Sequence, residues 1–271
     1  MPELPEAETV ARALDRALKG KTIARVEVFL PKLRTSLEPL ARAGLEGRTF
    51  VGCRRRARYA VADLDDGRAL VLHFGMTGVA RVEAANRPRR KHEHVIIALT
   101  DGQAFKFEDP RRFGLVEVQE RGGDGWPAGL AGLGVEPLTK AFDGEFLFRA
   151  SRGRKKSAKE LLMDNAVVTG IGNIYAAETL FASGVRPQRR AGRLTRAECD
   201  AIARNAKRIL RLAIRWGGTT VSDFQHVDGS EGRFAQKLKI YGQKTCPACG
   251  GKVARVALGG RTSWYCPKCQ Q

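Results

Sequence analysis

The sequence predicts an α+β protein with more than one domain: an antiparallel β-sandwich or barrel behind an N-terminal helix, then a helical region, then a metal-binding hairpin. Short alternating strands with tight turns fill residues 22–118, a Gly- and Pro-rich stretch follows at 121–137, and helical periodicity dominates beyond it. The chain has 271 residues, of which 43% are hydrophobic, so it is large enough to bury a sizeable core.

The first element is a helix, predicted over Pro5–Lys19. Proline suits the first helical turn, and Val10, Leu14 and Leu18 recur every four residues to form one apolar stripe. Gly20 is a typical terminator for such a helix.

The strands that follow are recognised by the alternation of apolar and polar residues and by the turns between them. Thr22–Val28 alternates, and two hairpin turns are signalled by an Asp-Gly pair between apolar runs. The strands that flank these turns are predicted at Tyr59–Leu64 with Arg68–Phe74, and at His94–Thr100 with Gln103–Phe107.

The second half is predicted to be helical at Glu160–Val168, Ile174–Ser183 and Thr195–Trp216. The last of these has one apolar and one basic stripe. The apolar stripe comprises Ile202, Ala206, Ile209, Leu210 and Ala213, and the basic one Arg204, Lys207, Arg208 and Arg211.

The charge distribution indicates a polyanionic partner. The net charge is +19; residues 1–135 carry 23 basic and 18 acidic side chains, and residues 136–271 carry 25 and 11. Nucleic acid is favoured over a membrane surface, since no basic amphipathic segment has a large aromatic face and no apolar run is long enough to span a bilayer. The acidic, turn-forming start lacks a secretory signal, so a cytoplasmic location is expected.

Two CxxC pairs near the end of the chain predict one zinc ion. They are separated by 16 residues, a spacing that suits tetrahedral coordination by four thiolates and leaves no open position for chemistry, so the zinc is structural. A redox pair or two disulfides are the competing interpretations, and the βαβ context of a redox pair is absent. The predicted ligands are Cys246, Cys249, Cys266 and Cys269, whereas Cys53 and Cys199 are expected to be ordinary thiols.

The start of the chain carries a candidate nucleophile. Removal of Met1 exposes the secondary amine of Pro2, and an α-amino group has a pKa of about 8, so part of it is unprotonated near neutrality. Such an amine can attack an aldehyde-like carbon to form a Schiff base, with Glu3 as proton carrier and Glu6 in support. The alternative is that both acids merely cap the first helix.

Two Gly-containing turns have the composition of loops that enter DNA. His73–Gly78 presents Met76 between two glycines, and Asp109–Gly114 presents two arginines and Phe113. Enzymes that act on a base remove it from the stack and fill the gap with inserted side chains. The alternative is that Met76 and Phe113 are core residues and the arginines are solvated.

Taken together, these residues resemble the bacterial formamidopyrimidine-DNA glycosylase family, which removes oxidised purines such as 8-oxoguanine. The resemblance runs in order from the first residue to the last. It is carried by Pro2-Glu3-Leu4-Pro5-Glu6, Phe74-Gly75-Met76-Thr77-Gly78, Lys91-His92-Glu93-His94-Val95, Asp109-Pro110-Arg111-Arg112-Phe113-Gly114, Leu162-Met163-Asp164-Asn165, Gly170-Ile171-Gly172-Asn173-Ile174-Tyr175-Ala176, Gly217-Gly218-Thr219-Thr220, Tyr241-Gly242 and the four cysteines.

The resemblance implies roles for these residues. Pro2 attacks C1′ as the damaged base leaves, and β- then δ-elimination nicks the strand, with Glu3 handling protons and Glu6 supporting it. Met76, Arg111 and Phe113 fill the hole left by the extruded base, and Arg111 reads the orphaned cytosine. The phosphate contacts implied are His73, Asn173, Tyr241 and Arg261, with Arg112 and Lys156 as further candidate DNA contacts.

One position departs from the family pattern. The family usually has lysine where this chain has Arg58. An arginine can hold a phosphate bidentately but cannot readily release a proton. If proton transfer at this position matters, excision of 8-oxoguanine is expected to weaken more than the elimination step.

The resemblance also implies a domain organisation around a helix–two-turns–helix element. It comprises a catalytic β-sandwich domain at 1–130, a linker at 131–150, a helix–two-turns–helix DNA-binding domain at 151–225, a lesion-capping loop at 226–240 and a zinc finger at 241–271. The segment that closes over the extruded base is expected at about Val221–Gln236.

Three other functions remain open at this point. A sister enzyme resembling endonuclease VIII would excise oxidised pyrimidines, although Leu4 and the Arg111-Arg112-Phe113 loop argue against it. A non-enzymatic damaged-DNA-binding protein would have no need of Pro2, Glu3 and Glu6. A zinc-ribbon protein of RNA or ribosomes is supported only by charge and cysteines. We expect a monomer that is associated with the nucleoid and binds double-stranded DNA with damaged bases or abasic sites. Its affinity for DNA is expected to fall sharply with salt.

Overall fold

The computed structural model describes residues 2–219 and 232–271. These residues divide into two compact units. Unit 1 contains the described residues of Met1–Ala131 and Gly217–Arg233, and unit 2 contains Gly132–Trp216 and Phe234–Gln271. Across the described part of the chain, no helix is both long and apolar enough to cross a membrane.

Unit 1 begins with the expected helix, α1, at Leu4–Leu18. Pro5 occupies its first turn, where the missing N–H has no intrahelical partner to lose. Val10, Leu14 and Leu18 of the predicted stripe are buried, and Gly20 follows the helix with a φ of +80°. The helix is therefore fixed to the sheets by the face that its four-residue repeat predicts.

Two four-stranded antiparallel sheets face each other in unit 1 and enclose one core, which confirms the predicted sandwich. The short helix α2, at Glu38–Ala41, lies between the first two strands of the chain. The strands are β1 (Ile23–Val28), β2 (Phe50–Arg56), β3 (Tyr59–Leu64), β4 (Arg68–His73), β5 (Val79–Ala84), β6 (Glu93–Leu99), β7 (Gln103–Glu108) and β8 (Leu115–Glu120).

The order of the strands is β1-β6-β7-β5 in one sheet and β2-β3-β4-β8 in the other. Both predicted Asp-Gly hairpins form, β3 with β4 and β6 with β7, and their glycines Gly67 and Gly102 have φ of +88° and +83°. Pro2, Glu3 and Glu6 lie at the start of α1, and the other candidate site residues of unit 1 lie at the ends of β2, β4 and β7 or in the turns that follow them.

Unit 2 contains four helices and a hairpin among its described residues. The helices are α3 (Gly144–Ser151), α4 (Ala158–Leu162), α5 (Asn173–Ala182) and α6 (Arg196–Arg215); the hairpin strands are β9 (Ala254–Leu258) and β10 (Arg261–Tyr265). Both α3 and α5 pack on α6. Short 3-10 turns occur at Ala128–Leu130 in unit 1 and at Ala191–Arg193 and Phe234–Lys237 in unit 2.

Two predictions for this half need correction. The helix expected at Glu160–Val168 starts earlier and ends at Leu162, because Met163–Val168 turns to deliver the chain to α5. The expected linker 131–150 contains most of α3, which Asp143 caps by accepting the N–H of Phe146 at 2.7 Å. The last seven of its 20 residues, 144–150, are therefore helical.

Candidate active site and DNA interface

Pro2 is buried at the start of α1, next to two buried glutamates. The exposed fractions of Glu3 and Glu6 are 4% and 2%. Glu3 is the N-cap residue of α1, and its backbone N–H donates to Oε2 of Glu6 at 2.9 Å. The three residues predicted to act together are thus adjacent, and the acids cap the helix as well.

The second carboxylate oxygen of Glu6 binds the Gly218–Thr219 turn, which belongs to unit 1 but is distant in sequence. The backbone N–H and the hydroxyl of Thr219 donate to Oε1 of Glu6 at 2.6 and 2.9 Å. Gly218 has a φ of +80°, and a Cβ there would lie 2.7 Å from the same oxygen. Both carboxylate oxygens of Glu6 are engaged, so this side chain positions Glu3 and the Gly218–Thr219 turn.

Arg58 lies in the turn between β2 and β3, and only 7% of it is exposed. The preceding Ala57 has a φ of +54°, a left-handed conformation that costs roughly 1–2 kcal/mol for a residue with a Cβ. The turn is held against α1 by Arg55, which donates to Oε2 of Glu8 at 2.8 Å and to the Ala57 carbonyl at 3.0 Å. Burial opposes ionisation of Glu8, but Arg55 and Arg12 outweigh it and lower its pKa.

His73 ends β4 and is a neutral side chain with a fixed tautomer. Its burial, followed by the charges of Arg34 and Arg58, lowers its pKa to about 4. Nδ1 accepts the N–H of Gly75 at 3.1 Å, which leaves Nε2 to carry the proton of the neutral ring. The ring also packs on Tyr59, with 4.9 Å between centroids. His73 can therefore donate one hydrogen bond to an anion at ordinary pH.

The loops that follow β4 and β7 lie against each other and present exposed apolar side chains. A Cβ on Gly75 would lie 2.6 Å from the carbonyl carbon of Phe113, so only glycine allows this approach. Met76 and Phe113 are 36% and 50% exposed, and the Arg111 guanidinium lies 4.9 Å from the Phe113 ring centroid. The structure therefore brings Met76, Arg111 and Phe113 together at the surface, not in the core.

Asp109, which sequence reasoning did not single out, joins these two loops. It is fully buried, and its two carboxylate oxygens accept the Thr77 hydroxyl at 2.6 Å and the Gly114 N–H at 2.7 Å. The Thr77 oxygen in turn accepts the N–H of Arg111 at 3.3 Å. Arg112, which follows, has a φ of +59°. The Asp-Pro pair before a turn was a signal for this role.

Unit 2 places a buried lysine beside Asn173, the first residue of α5. Lys159 is 1% exposed, and its ammonium donates to the side-chain oxygen of Asn173, to the Ser263 hydroxyl at 2.5 Å and to the Thr262 carbonyl at 3.3 Å. It therefore ties α4, the start of α5 and β10 together. Lys156, the residue predicted from sequence, is half-buried and forms an ion pair with Asp164.

Glu178 holds the chain segment that ends at Tyr241. Its buried carboxylate accepts the backbone N–H groups of Lys239, Ile240 and Tyr241 at distances of 2.9 to 3.1 Å. Burial raises the pKa of Glu178, and these N–H groups oppose that effect. The Tyr241 ring packs on Trp264, with 4.4 Å between centroids. The position of Tyr241 is thus set by α5 and by the hairpin.

The four terminal cysteines form a site that fits one zinc ion. Their sulfurs lie within 4.8 Å of one another, with Cys246 and Cys269 at 3.8 Å and Cys249 and Cys266 at 3.5 Å. Tetrahedral zinc with Zn–S bonds of about 2.3 Å requires sulfurs roughly 3.8 Å apart. All four are free thiols, which excludes the two disulfides.

Arg261 is presented by the hairpin that this zinc site supports. It is the first residue of β10, directly after Gly259 and Gly260, whose φ values are +54° and +71°. Its side chain is exposed at the tip, as expected for a residue that reaches a phosphate.

The predicted lesion-capping loop is the one part of the candidate site that the structure does not cover. Residues 220–231 lie outside the described residues, and only the end of the predicted segment, which includes the turn Phe234–Lys237, falls within them.

Three family models match the chain in order. The Formamidopyrimidine-DNA glycosylase N-terminal domain matches residues 1–116, its H2TH domain matches residues 133–225, and a zinc finger found in FPG and IleRS matches residues 243–271. Together they cover nearly the whole chain.

Relatives that align with the chain over their whole length point to the same family. The formamidopyrimidine-DNA glycosylases of Halorhodospira halophila and Thioalkalivibrio sulfidiphilus are each 44% identical, and each alignment covers 100% of both chains. The fold is also similar to solved structures. Lactococcus lactis Fpg in complex with abasic-site DNA has a TM-score of 0.88 at 30% identity over 99% of both chains.

A second solved structure comes from a different organism. MutM (FPG) of Thermus thermophilus has a TM-score of 0.86 at 36% identity and covers 99% of this chain and 98% of its own. With the zinc site and the sandwich described above, these matches show a DNA glycosylase of base excision repair, and the chain belongs to the formamidopyrimidine-DNA glycosylase family.

Proposed function

We propose that this glycosylase excises oxidised purines, namely 8-oxoguanine and formamidopyrimidines, from double-stranded DNA and then nicks the abasic product, with Pro2 as nucleophile. The observation that carries the proposal is the cluster at the chain start, where Pro2 lies beside two buried carboxylates. A helix needs no buried acids for capping alone, because solvent-exposed Ser, Thr or Asp serves that purpose.

The chemistry assigned to Pro2 follows from its amine. Once Met1 is removed, the unprotonated amine attacks C1′, the glycosidic bond breaks, and the base leaves with the bonding pair and a proton. Opening of the sugar ring gives the Schiff base. Loss of a C2′ proton then expels the 3′ phosphate, and a second elimination expels the 5′ phosphate.

The two acids have different tasks in this proposal. Glu3 carries protons to and from the sugar, and its carboxylate also accepts the backbone N–H of Glu6 in the capping box of α1. Glu6 is a positioning residue, because Thr219 and the Glu3 N–H already occupy its two oxygens. Its removal would displace both Glu3 and the turn at Gly218.

Arg58 and His73 form the candidate phosphate site next to Pro2. Arg58 supplies a permanent charge and a two-pronged donor. His73 supplies one neutral N–H from Nε2. Neither group changes charge near neutral pH, so this site binds a phosphate but transfers no proton.

The exposed residues Met76, Arg111 and Phe113 are proposed to fill the space of the extruded base, with Arg111 facing the orphaned cytosine and Arg112 on the backbone. In unit 2, Asn173, Tyr241 and Arg261 are proposed phosphate contacts, and Lys156 is a weaker candidate because Asp164 already neutralises it. Lys159 sets the orientation of Asn173.

Lesion choice is tested with a panel of single-lesion duplexes: 8-oxoguanine opposite cytosine, a formamidopyrimidine, an oxidised pyrimidine and a preformed abasic site. We expect release of both purine lesions and nicking of the abasic duplex, and Glu3→Gln is expected to lower purine release by roughly 10²-fold or more. Preferred release of the pyrimidine would favour the endonuclease VIII-like activity. Binding to all four duplexes without any release would favour a non-enzymatic binder.

The remaining expectations concern the free protein. We propose that it is a monomer, since one lesion offers no two-fold symmetry, and that it is associated with the nucleoid through its charge of +19. A molar mass near 29.7 kDa by light scattering is the expected result.

A further inference from the structure

The exposed face of α6 carries a row of arginines that the proposed reaction does not use. Arg204, Arg208, Arg211 and Arg215 are all exposed and recur at intervals of four, three and four residues, so they share one face of the helix. We call these four residues the α6 stripe. From first to last it spans about 16 Å at 1.5 Å per residue.

The α6 stripe lies opposite the face by which α6 packs. Cys199, Ile202, Ala206, Leu210 and Ala213 are buried, and at 100° per residue the centre of that face is roughly 170° from the centre of the α6 stripe. The buried face contacts α3 and α5. The stripe therefore points away from α5, whose first residue, Asn173, is a proposed contact with the DNA that contains the lesion.

The arginines of the α6 stripe have no acidic partner among the described residues. Within residues 2–219 and 232–271, none of its four arginines is within ion-pair distance of a carboxylate; Arg208 donates only to the side chain of Asn205, at 3.2 Å. Four like charges on successive turns repel one another by a few tenths of a kcal/mol per pair. A bound polyanion would remove that repulsion.

We propose that the α6 stripe binds a second segment of duplex DNA through its phosphates. The inference rests on DNA as the substrate. Guanidinium groups match phosphate oxygens bidentately, and 16 Å corresponds to roughly five base pairs at 3.4 Å per step. An acidic protein is a poorer match, because protein interfaces depend on apolar anchors and the centre of this face is arginine throughout.

Two DNA surfaces on one chain change how it leaves DNA. With one surface, the enzyme dissociates before it binds another duplex, so its release rate does not depend on competitor concentration. With two, the competitor binds the α6 stripe first and the enzyme transfers directly, so the release rate rises with competitor concentration. Four phosphate contacts also predict a logarithmic salt slope of about −3.6 for the second duplex.

The test measures release of the full-length protein from a labelled, lesion-free duplex as unlabelled duplex is increased. In the wild type, the release rate is expected to rise severalfold over a tenfold increase of competitor. In the variant R204Q/R208Q/R211Q/R215Q it is expected to stay flat. Glutamine keeps a high helix propensity, and equal melting temperatures will show that the variant folds.

A matched control removes the same charge elsewhere. The variant R16Q/K19Q/R25Q/R42Q neutralises four exposed cations of unit 1. It is expected to keep the dependence on competitor, which separates a site from the effect of net charge. Nicking of a preformed abasic site on a short duplex, measured for all three proteins, reports on the proposed reaction independently and is expected to be unchanged in the α6 variant.

Three results would overturn the proposal. The first is a wild-type release rate that does not depend on competitor, and the second is a dependence lost equally in both variants. The third is release that polyglutamate accelerates while a second duplex does not, which would assign the α6 stripe to an acidic protein. In each case abasic-site nicking can remain intact, so the proposed function would stand without the second site.

Discussion

Arg58 is the residue whose identity bears most on the proposed reaction, because the family resemblance implies lysine at this position. The structure buries it in the β2–β3 turn and places its charge near enough to His73 to lower the pKa of that ring. A lysine there could bind phosphate and also exchange a proton, whereas arginine stays protonated. Arg58 therefore supplies the charge without the proton exchange.

We therefore predict that Arg58→Lys raises excision of 8-oxoguanine relative to nicking of a preformed abasic site, by up to about 10²-fold if the lysine transfers a proton. Single-turnover rates on the two duplexes give the ratio. Arg58→Gln is the control and should weaken both steps, since it removes the phosphate contact. A ratio that is the same for arginine and lysine would mean that this side chain serves only as a charge.

His73 makes the stability of the fold depend on pH, and the sign of this dependence follows from its lowered pKa. The folded value is about 4 and the ordinary value about 6.5, so between these pH values the unfolded chain takes up the proton and the folded chain does not. Stability is therefore lost as pH falls from about 6.5 to 4, by about 3 kcal/mol in full, and no more is lost below 4.

The corresponding prediction is that His73→Gln loses less stability than the wild type between pH 7 and pH 5, by about 2 kcal/mol. Urea unfolding at the two pH values measures this difference. Parallel losses in the two proteins would contradict a neutral, buried His73.

At the scale of elements, the loops after β4 and β7 act as one unit because buried polar groups join them. Asp109 and Thr77 are 32 residues apart in sequence and 2.6 Å apart in space. Such a contact between loops can place Met76, Arg111 and Phe113 with little loss of entropy on binding.

Thr77→Val tests this connection. The variant keeps the shape of the side chain but leaves one oxygen of buried Asp109 without its donor, which is expected to cost about 1–3 kcal/mol. Thr49→Val is the matched control. Among the described residues, the Thr49 hydroxyl forms a hydrogen bond only with the Thr22 hydroxyl, and it lies away from these loops. Both variants should melt earlier, and only Thr77→Val should weaken binding to a duplex with an abasic site. Equal binding by both would separate Asp109 from the insertion loops.

Comparison of these elements with the sequence-based predictions shows which features could be predicted. Local signals were sufficient for α1, both Asp-Gly hairpins and the zinc site, since each depends on spacing within a short stretch. Helix α3 was missed because the Gly- and Pro-rich stretch that includes Gly134 and Pro137 suggested a linker, although Asp143 is a good cap. The tasks of Asp109, Lys159, Glu178 and Thr219 depend on contacts across 14 to 213 residues. The Lys159–Asn173 and Thr219–Glu6 bonds mark the two limits, and no local pattern encodes them.

At the scale of the whole molecule, zinc is expected to support DNA binding without taking part in the chemistry. The four sulfurs, together with a small apolar cluster that includes Ala177, Ile240 and Val253, hold the hairpin that presents Arg261. A core of this size is marginal without its metal.

Removal of zinc by a strong chelator should therefore lower DNA affinity by tenfold or more. A tenfold loss of affinity corresponds to about 1.4 kcal/mol of binding free energy. The β-sheet circular dichroism of unit 1 should persist, and added zinc should restore binding. Metal analysis should find one zinc per chain. Unchanged affinity in the metal-free protein would contradict this role for the hairpin.

The most direct test of the central claim is to trap the protein on a duplex with one 8-oxoguanine opposite cytosine, using borohydride, and to map the adduct by mass spectrometry. We expect a covalent adduct on Pro2, with strand nicking when borohydride is omitted. An adduct at a lysine, or no adduct with either 8-oxoguanine or a preformed abasic site in a protein that lacks Met1, would contradict it.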